Sequence, residues 1–176
     1  AVQILGLKGL NKVPATKWNG EKVWEIVTDY EARKKREKEL GIELIRERFN
    51  KALENMNFKT GNILEPSCGI GNFMGMLPES LASSKIYGIE LDSISSRIAQ
   101  QLYQNSSIAS RGYEATDLPD SFFDCAIGNV PFGQFKVLDK RYDKHNFLIH
   151  DYFFARTLDK VRPGGIVAFI TSKGTL

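Results

Sequence analysis

The chain has 176 residues, of which 42% are hydrophobic and 26% are charged, and its formal net charge is +3. This size and balance are typical of a globular protein with a buried core, and no apolar run approaches the roughly 18 residues of a membrane span. Basic residues are in excess only near the start, where residues 1–60 carry 13 Lys and Arg against 9 Asp and Glu. An acidic partner is therefore compatible with the N-terminal part of the chain.

The two cysteines, Cys68 and Cys125, are too few for a disulfide framework and fit a reducing compartment. Neither has a neighbour at the spacing of a zinc site, so no metal is expected. The opening AVQILGLKGL is too short and too soon interrupted by glycine to be a signal peptide. We therefore expect a cytoplasmic protein. Because the chain starts without Met and stops just after an apolar run, we also expect it to be part of a larger polypeptide.

Residues 1–58 are predicted to form an N-terminal extension of loop and helix. Residues 1–20 are rich in glycine and lysine and have little periodicity, whereas the following stretch has the pattern of a helix interrupted near Gly41. In its second half the apolar residues recur at spacings of three and four, namely Ile42, Ile45, Phe49, Leu53 and Met56. The mixed-charge run EARKKREKE fits a solvated helix face, and a nucleic-acid contact is the alternative.

Residues 59–176 are predicted to form an α/β core, because short apolar strands alternate with helices. The strands fall in KTGNILEPS, SKIYGIEL, SIASRGYE, DSFFDCAIGN and GIVAFIT, and the helices in NFMGMLPESL, SISSRIAQQLYQNS and FLIHDYFFARTLDKV. We expect Asn146 to cap the last helix and Pro163 to follow its end. The alternation indicates a mostly parallel sheet with helices on both faces, which is a three-layer arrangement.

The stretch EPSCGIGNF, residues 65–73, joins the first strand to the next helix and contains two glycines. A dinucleotide fingerprint requires a third glycine three residues after the second, and Met74 occupies that place. No Gly-Lys-Ser/Thr sequence follows, so the loop is not a P-loop. Gly69 and Gly71 therefore serve either a purely structural turn or the close approach of the backbone to a ligand without a pyrophosphate.

Two acidic residues favour an adenosine-type ligand beside this loop. Glu65 directly precedes the loop, where a carboxylate suits a cationic group better than a phosphate. Glu90 ends the second strand, and an acid at that place can accept hydrogen bonds from both hydroxyls of a ribose. A cation, a ribose and no pyrophosphate together indicate S-adenosylmethionine. For Cys68 we expect loop packing rather than reactivity, and for Phe73 a core position, with a cofactor contact as the alternative.

The segment GNVPFG, residues 128–133, lies at the carboxyl end of the fourth strand, where open parallel sheets bind their ligands. The exocyclic amine of an aromatic base is a poor nucleophile, because its lone pair is delocalised into the ring. The side-chain oxygen of Asn129 and the carbonyl of Val130 can accept its two hydrogens and return the lone pair to nitrogen. Pro131 would hold the backbone and Phe132 would stack on the base. A turn that merely ends the strand is the alternative.

With both motifs present, residues from about 60 to 174 resemble the adenine-specific branch of the amino-methylating DNA methyltransferases. In that family the first motif resembles EPSCGIGNF, the second resembles YGIEL, and the catalytic tetrapeptide Asn/Asp-Pro-Pro-Tyr/Phe corresponds to NVPF. The sequence from residue 128 onward is also similar to the methylase-like region of very large helicase-associated proteins of mobile elements and phages. The resemblance implies a Rossmann-like, S-adenosylmethionine-dependent methyltransferase core, truncated after its fifth strand, that methylates adenine in DNA as restriction–modification enzymes do.

The resemblance also implies the residues of the site. Those implied in catalysis are Asn129, Val130, Pro131 and Phe132. Those implied in binding the cofactor are Glu65, Pro66, Ser67, Cys68, Gly69, Gly71, Asn72, Phe73, Glu90, Leu91 and Asn129. The family also has an acid after the third strand that contacts the cofactor adenine, and here it has two candidates, Glu114 and Asp117.

Three departures from the family keep other functions open. Val130 replaces the first proline of the tetrapeptide, and there is no clear upstream Tyr-Thr-Pro-type cofactor motif and no target-recognition domain. One alternative is a weakly catalytic or non-catalytic nucleic-acid-binding module of a larger protein. Another is methylation of a protein glutamine or of an RNA base, because related enzymes use a similar tetrapeptide.

The segment GQFKVLDKRYDKHNF, residues 133–147, follows the tetrapeptide and interleaves basic with aromatic residues. The candidates for DNA phosphate contacts are Lys136, Lys140, Arg141 and Lys144, and those for base stacking are Phe135 and Tyr142. The alternative is a mobile surface loop whose charges are half cancelled by Asp139 and Asp143. For His145 and His150 we expect hydrogen bonding near the start of the next helix rather than metal binding.

Overall fold

The computed structural model describes residues 47, 48 and 50–171 of the chain. The chain divides into two compact units, with the boundary between Phe58 and Lys59. In the first unit, residues 50–55 are helical (α1), and Leu53 is buried. The predictions for residues 1–46, including the mixed-charge run, lie outside the described residues. Within the described residues, every helix is too short or too polar to cross a lipid bilayer.

The second unit is built on a sheet of five parallel strands. Its elements, in chain order, are β1 (Asn62–Glu65), α2 (Asn72–Met76), β2 (Lys85–Glu90), α3 (Ser93–Leu102), β3 (Ser107–Ser110), β4 (Phe123–Asn129), α4 (Ile149–Lys160) and β5 (Val161–Ile170). The strands are arranged in the order β3-β2-β1-β4-β5. After β3 the chain therefore returns across the sheet to pair with the other side of β1. The order reverses between β1 and β4, which is where open α/β sheets bind ligands.

Each face of the sheet has its own apolar core, because successive residues of a strand point to opposite faces. On one face, Ile86 and Ile108 pack against a buried cluster that contains Cys68, Met74 and Ala99. On the other face, strand residues pack against α4 in a larger cluster that includes Leu64, Ile89, Ala126, Tyr152 and Phe153. The prediction of a three-layer α/β core with a parallel sheet is confirmed.

Helix α4 buries one face along its whole length. The buried residues recur at helical spacings of three and four and are Ile149, His150, Tyr152, Phe153, Arg156, Thr157 and Lys160. Two of these are cations, and a buried cation requires a charged or polar partner. The partners of Arg156 and Lys160 lie in the loops on either side of β4.

The expected cap of α4 is wrong. The helix begins at Ile149 and has no side-chain cap at its N-terminus. Asn146 instead adopts a left-handed conformation, with φ of 57°, and ends the short 3-10 turn Asp143–His145. Its side-chain oxygen accepts a hydrogen bond from Lys136 Nζ at 2.6 Å. Asn146 therefore shapes the loop before the helix rather than the helix itself.

Two other elements have different bounds from those expected. The helix after the glycine loop ends at Met76, because Pro78 interrupts it, and a 3-10 turn follows at Glu79–Leu81. Strand β5 begins already at Val161, and residues 162–165 bulge out before pairing with β4 resumes at Ile166. Neither change displaces the carboxyl ends of the strands, where the two sequence motifs lie.

Candidate active site

The loop between β1 and α2 turns sharply at two glycines. Gly69 and Gly71 have φ angles of 55° and 88°, in the left-handed region that favours glycine. A Cβ on Gly71 would overlap the ring of Tyr103, so a side chain at this position would also be excluded by its neighbour. The amide of Cys68 donates to the carbonyl of Ile89 at 2.9 Å. The loop is thereby held against the carboxyl end of β2.

Glu65, the last residue of β1, is a buried carboxyl group with one unsatisfied oxygen. The residue is 1% exposed, and its Oε2 has no hydrogen-bond partner among the described residues. Burial raises the pKa of Glu65 well above its ordinary value of 4.5, the charge of Glu90 raises it further, and a hydrogen bond from the Met74 backbone opposes both. A buried acceptor without a donor is costly. A cationic donor, such as the ammonium group of a methionine moiety, fits this vacant acceptor.

Glu90, at the end of β2, holds the glycine loop through two backbone amides. Its Oε2 accepts from the amide of Gly69 at 2.7 Å, and its Oε1 accepts from the amide of Asp92 at 2.8 Å. A carboxylate oxygen has two lone pairs, so each oxygen keeps the capacity to accept from a hydroxyl group. Glu90 therefore orders the loop and retains the acceptor capacity that a ribose requires.

Among the other residues of the two cofactor motifs, Pro66, Cys68 and Phe73 are buried, whereas Asn72 and Leu91 are exposed. Burial and the charges of Glu65 and Glu90 raise the pKa of the Cys68 thiol to about 12. A thiol with this pKa stays protonated at neutral pH and is a weak nucleophile. Cys68 therefore acts as a packing residue, which agrees with the expectation from the sequence.

A hydrogen bond joins the glycine loop to the tetrapeptide at the end of β4. The hydroxyl of Ser67 donates to the backbone carbonyl of Asn129 at 2.9 Å, although the two residues are 62 positions apart. On the same side, a Cβ on Gly128 would lie 3.6 Å from Cγ of Glu65. The pairing of β1 with β4 thus brings the two sequence motifs into one site.

The tetrapeptide is exposed at its two ends and buried at its second residue, and Pro131 is half-buried. Asn129 is exposed, and Phe132 is 54% exposed. Val130 is fully buried in the core cluster that includes Tyr113 and Tyr152. The valine side chain thus anchors the segment by packing, at the position where the methyltransferases that the sequence resembles have a proline. The amide of Asn129 and the ring of Phe132 remain accessible to a planar ligand.

The two acidic candidates after β3 are both exposed. Glu114 lies in the 3-10 turn Tyr113–Ala115, and its carboxylate folds back onto Gly112. Asp117 lies beyond this turn and is farther along the chain from the end of β3. Glu114 is therefore the nearer of the two acids, along the chain, to the carboxyl end of β3.

The loop after the tetrapeptide is anchored by the nearly buried carboxylate of Asp139. This carboxylate accepts hydrogen bonds from Tyr152 at 2.8 Å and from Arg156 at 2.6 Å. The amide of Asp139 donates to the carboxylate of Asp143 at 2.8 Å. Asp139 thus fixes the loop to α4, and Asp143 holds the loop internally.

The basic residues of this loop have different environments. The Arg141 guanidinium pairs with Asp120 at 2.7 Å and with Asp159 at 2.8 Å. By contrast, Lys140 and Lys144 are exposed and form no ion pair within the described residues. Of the four cations that the sequence suggested for DNA, Arg141 is therefore a fixed part of the loop, and the lysines are the accessible ones.

The two aromatic candidates also differ. Tyr142 is buried, and its hydroxyl donates to Asp159 at 2.6 Å, so the prediction that it stacks on a base is wrong. Phe135 is 56% exposed, and its ring lies against Gly133, where an added Cβ would approach the ring to 2.7 Å. Phe135 therefore stays a candidate for a nucleic-acid contact.

The histidines form no metal centre. His145 stacks on Phe147 with 5.1 Å between the ring centroids. His150 is buried in the first turn of α4, with its Nε2 at 3.6 Å from the carboxylate of Asp151. Across the described part of the chain, no group of three or more His, Cys, Asp or Glu residues is arranged to hold a metal ion.

Sequence reasoning missed the residues that anchor the loop. Arg156 and Lys160 lie on the buried face of α4, at positions where the helical period calls for apolar residues. A cation at such a position indicates a buried anionic or polar partner, so these two residues could have been identified from the helical pattern alone. Lys160 donates to the carbonyl of Leu118 at 2.6 Å and to Asp120 at 2.7 Å. The anchoring network thus extends to both loops that flank β4.

Comparison with known proteins relates the chain to phage and viral proteins. No family model matches it. It is 36% identical over 115 residues to the Defense against restriction protein B of Escherichia phage P1, a match covering 62% of this chain and 5% of that protein. It is 36% identical over 76 residues to the type II methyltransferase M.CvrRI of Paramecium bursaria Chlorella virus XZ-6E, covering 43% of this chain and 20% of that one. The chain thus spans a small part of the curated relatives it matches.

Similar solved structures establish the fold. The PH0226 protein of Pyrococcus horikoshii OT3 matches with a TM-score of 0.58 and 18% identity, covering 79% of this chain and 57% of that one. An S-adenosylmethionine-dependent methyltransferase from Clostridium acetobutylicum ATCC 824 matches with a TM-score of 0.52 and 16% identity, covering 70% of this chain and 48% of that one. The chain has the Rossmann-like fold of S-adenosylmethionine-dependent methyltransferases.

Proposed function

We propose that this chain is the catalytic core of an S-adenosylmethionine-dependent methyltransferase that acts on the exocyclic amine of adenine in DNA. One observation carries the proposal. The buried and unsatisfied carboxyl group of Glu65 and the exposed Asn129 lie in one site, which the Ser67–Asn129 hydrogen bond of 2.9 Å holds together. The first motif supplies a place for the cofactor, and the second supplies acceptors for an amine.

The cofactor would lie over the carboxyl ends of β1 and β2. Glu65 would accept a hydrogen bond from its ammonium group, and Glu90 would accept from its ribose hydroxyls. Gly69 and Gly71 let the loop backbone approach closely, and Glu114 would contact the adenine ring. When bound, S-adenosylmethionine supplies an electrophilic methyl group on a positively charged sulfur.

The target adenine would lie beside Asn129. Its amine hydrogens would be accepted by the Asn129 side-chain oxygen and the Val130 carbonyl, which localises the lone pair on nitrogen. Asn129 and the Val130 carbonyl would thereby hold the amine nitrogen as the nucleophile toward the methyl group that the cofactor would supply, and the extra amine proton would leave to solvent. Phe132, exposed next to these acceptors, would stack on the base. An adenine in a duplex must first be flipped out, at a cost of a few kcal/mol.

The names of two relatives support the choice of DNA as the substrate. One relative is a viral type II methyltransferase, and the other is a phage protein of defense against restriction. The exposed lysines and the exposed Phe135 of residues 133–147 add a surface with the chemistry of phosphate contact and base stacking. We further propose that residues 59–176 form the catalytic core and that residues 1–58 are an extension of it.

A non-catalytic nucleic-acid-binding module is the second candidate, and the fully buried Val130 favours it. The side chain at this position is committed to the core, and its peptide unit has an N–H that the family's proline lacks. Such a module would keep the exposed surface of residues 133–147 and would bind nucleic acid without methylating it.

The decisive experiment measures transfer of a labelled methyl group from S-adenosylmethionine to DNA, RNA and protein in three parallel assays. Label in DNA that maps to N6 of adenine is the expected result. Label found only in RNA or in a glutamine of a protein would show that the proposed substrate is wrong, whereas the proposed mechanism of methyl transfer would stand. Calorimetry with S-adenosylmethionine completes the test, because a folded chain that binds no cofactor would leave the binding module as the function.

A further inference from the structure

The loop after the tetrapeptide and the segment after β3 are held by the same side chain, Arg156 of α4. We propose that Arg156, through its ion pair with Asp139, is a positioning residue that couples the cofactor side of the site to the target side. The roles of the two sides rest on the proposed function, whereas the coupling itself is a property of the free protein.

One edge of the Arg156 guanidinium holds the loop after the tetrapeptide through the ion pair with Asp139. Arg156 Nη1 lies 2.6 Å from the carboxylate of Asp139, and the two side chains are only 8% and 10% exposed. Tyr152 donates to the same carboxylate oxygen at 2.8 Å. Asp139 also accepts at its carbonyl from the amides of Tyr142 and Asp143, each at 2.8 Å. The middle of the loop is thus fixed at one residue.

The other edge of the same guanidinium contacts the segment that follows β3. Arg156 Nη2 donates to the carbonyl of Thr116 at 2.8 Å, and the guanidinium carbon lies 5.0 Å from the ring centroid of Tyr113. The Tyr113 hydroxyl lies 3.1 Å from Thr157 Oγ1. Tyr113 and Thr116 flank Glu114, the acid proposed to contact the cofactor adenine. One planar group therefore fixes both segments.

The cost of this arrangement argues for a role beyond stability. Removing two charges from water carries a penalty of several kcal/mol per ion, which a buried pair recovers only in good geometry. An apolar side chain at this position of α4 would pack the core without that penalty. Arg156 also leaves its Nε buried without a partner among the described residues. A rigid, forked guanidinium offers what an apolar residue lacks, namely a fixed distance between the Thr116 carbonyl and the Asp139 carboxylate.

The proposal predicts that a substitution in the loop of residues 133–146 also changes the stability of residues 113–118. The Asp139 carboxylate accepts from the Arg141 amide within its own loop and from Tyr152 and Arg156 of α4. Replacing it by Asn keeps the shape but removes the charge that orients Arg156. We expect Asp139→Asn to reduce hydrogen-exchange protection in residues 113–118 as well as in residues 133–146, at a temperature well below the unfolding midpoint.

Lys136→Met is the matched control, because Lys136 bonds Asn146 within the same loop and leaves Arg156 intact. It should affect protection in residues 133–146 alone. Unchanged protection of residues 113–118 in Asp139→Asn would overturn the proposal, as would an equal loss there in Lys136→Met. If Asp139→Asn does not fold, Arg156→Lys and Tyr152→Phe are judged by the same criterion, because each weakens the network and keeps most of the packing.

Binding provides the second readout. We expect Asp139→Asn to weaken S-adenosylmethionine roughly 5- to 150-fold, the usual range of a coupling free energy, although Asp139 lies on the target side. An affinity equal to that of the native chain would count against the coupling. If the native chain binds no cofactor, the proposed function fails, and the exchange experiment on the free protein still decides the inference.

Discussion

The two sides of the site differ in how they are prepared for a ligand. On the cofactor side, Glu65 is buried with an oxygen that lacks a donor, and Glu90 is already engaged with backbone amides. On the target side, the groups that would contact a base are exposed. The loop that follows them is held in place by the buried ion pair between Asp139 and Arg156. The cofactor side thus presents a preformed hydrogen-bond acceptor, and the target side presents exposed groups next to a loop that an ion pair holds in place.

This difference suggests how each ligand would be selected. A buried carboxyl group that lacks a donor discriminates strongly, because a ligand without that donor leaves it unsatisfied. An exposed ring and exposed lysines discriminate weakly and suit a long polyanion that is recognised elsewhere. Changes on the cofactor side should therefore alter the affinity for one small molecule, and changes on the target side should alter turnover or the affinity for DNA.

The largest effect is expected from Asn129→Ala. The change removes an acceptor that acts on the amine in the transition state, for which losses of about 100- to 1,000-fold in kcat are typical. Asn129→Asp is the matched control, because it keeps an acceptor oxygen at the same place. Kinetics with radiolabelled cofactor measure kcat, and calorimetry should show that S-adenosylmethionine binds as before. Native turnover in Asn129→Ala would show that the tetrapeptide is only a turn.

Glu65→Gln should weaken S-adenosylmethionine by about 10- to 150-fold. This estimate takes a hydrogen bond to a charged group as worth roughly 1.5–3 kcal/mol. The DNA affinity measured without cofactor should not change, which separates the two sides of the site. Glu90→Gln is the comparison, because it should disturb the order of the glycine loop as well. Cofactor affinity that is unaltered in Glu65→Gln would remove this residue from the site.

The raised pKa of Glu65 also predicts a pH dependence. An acid whose pKa is raised on folding contributes stability that is fully present below its ordinary value of 4.5 and is lost as the pH rises through the folded-state pKa. Ionised Glu65 is the form that binds a cation, so cofactor affinity should increase over the same range. Both trends should vanish in Glu65→Gln. Chemical denaturation and calorimetry at several pH values measure them, and parallel pH curves for the two proteins would contradict the assignment.

Phe132→Leu should raise the KM for DNA by about 5- to 150-fold. The basis is that stacking of a base on an aromatic ring is worth about 1–3 kcal/mol. Phe132→Tyr keeps the ring and should stay near the native value. Cofactor affinity should be unaffected in both variants. A KM in Phe132→Leu equal to that of the native chain would place the target base elsewhere.

The smallest effects are expected from the cations of residues 133–147. Lys140→Gln and Lys144→Gln should each lower the salt dependence of DNA binding by about one counterion. Arg141→Gln should instead lower the unfolding midpoint with a smaller change in that salt dependence, because this guanidinium is paired with Asp120 and Asp159. Fluorescence titrations at several salt concentrations provide the slopes. A larger change of slope in Arg141→Gln than in the lysine variants would reverse the roles.

The features that sequence could predict are those with a local cause. The five strands follow from apolar runs between turn residues, and their parallel arrangement follows from the alternation with helices. The glycine loop and NVPF are short motifs at strand ends, and a parallel sheet brings such ends to one edge. The proximity of Glu65 and Asn129 was for this reason within reach of sequence reasoning.

The remaining features depend on partners distant in sequence. Arg141 looked like the other cations of its loop, because its partners Asp120 and Asp159 lie 21 and 18 positions away. Tyr142 and Asp139 were misjudged for the same reason, since their environment is created by α4. An asparagine can either cap a helix or end a 3-10 turn, and the sequence around Asn146 fits both. Only the start of α4 at Ile149 shows that Asn146 ends the turn.

The adjacency of β1 and β4 has a consequence for how the protein is made. During synthesis, Glu65 and the glycine loop leave the ribosome some sixty residues before Asn129. The loop is therefore present before β4, the strand whose end it contacts. The bond from Ser67 can form only after β2, α3 and β3 have been laid down between the two strands. Contacts this distant in sequence form slowly. A nascent chain would therefore complete the proposed site only late, when β4 docks against β1.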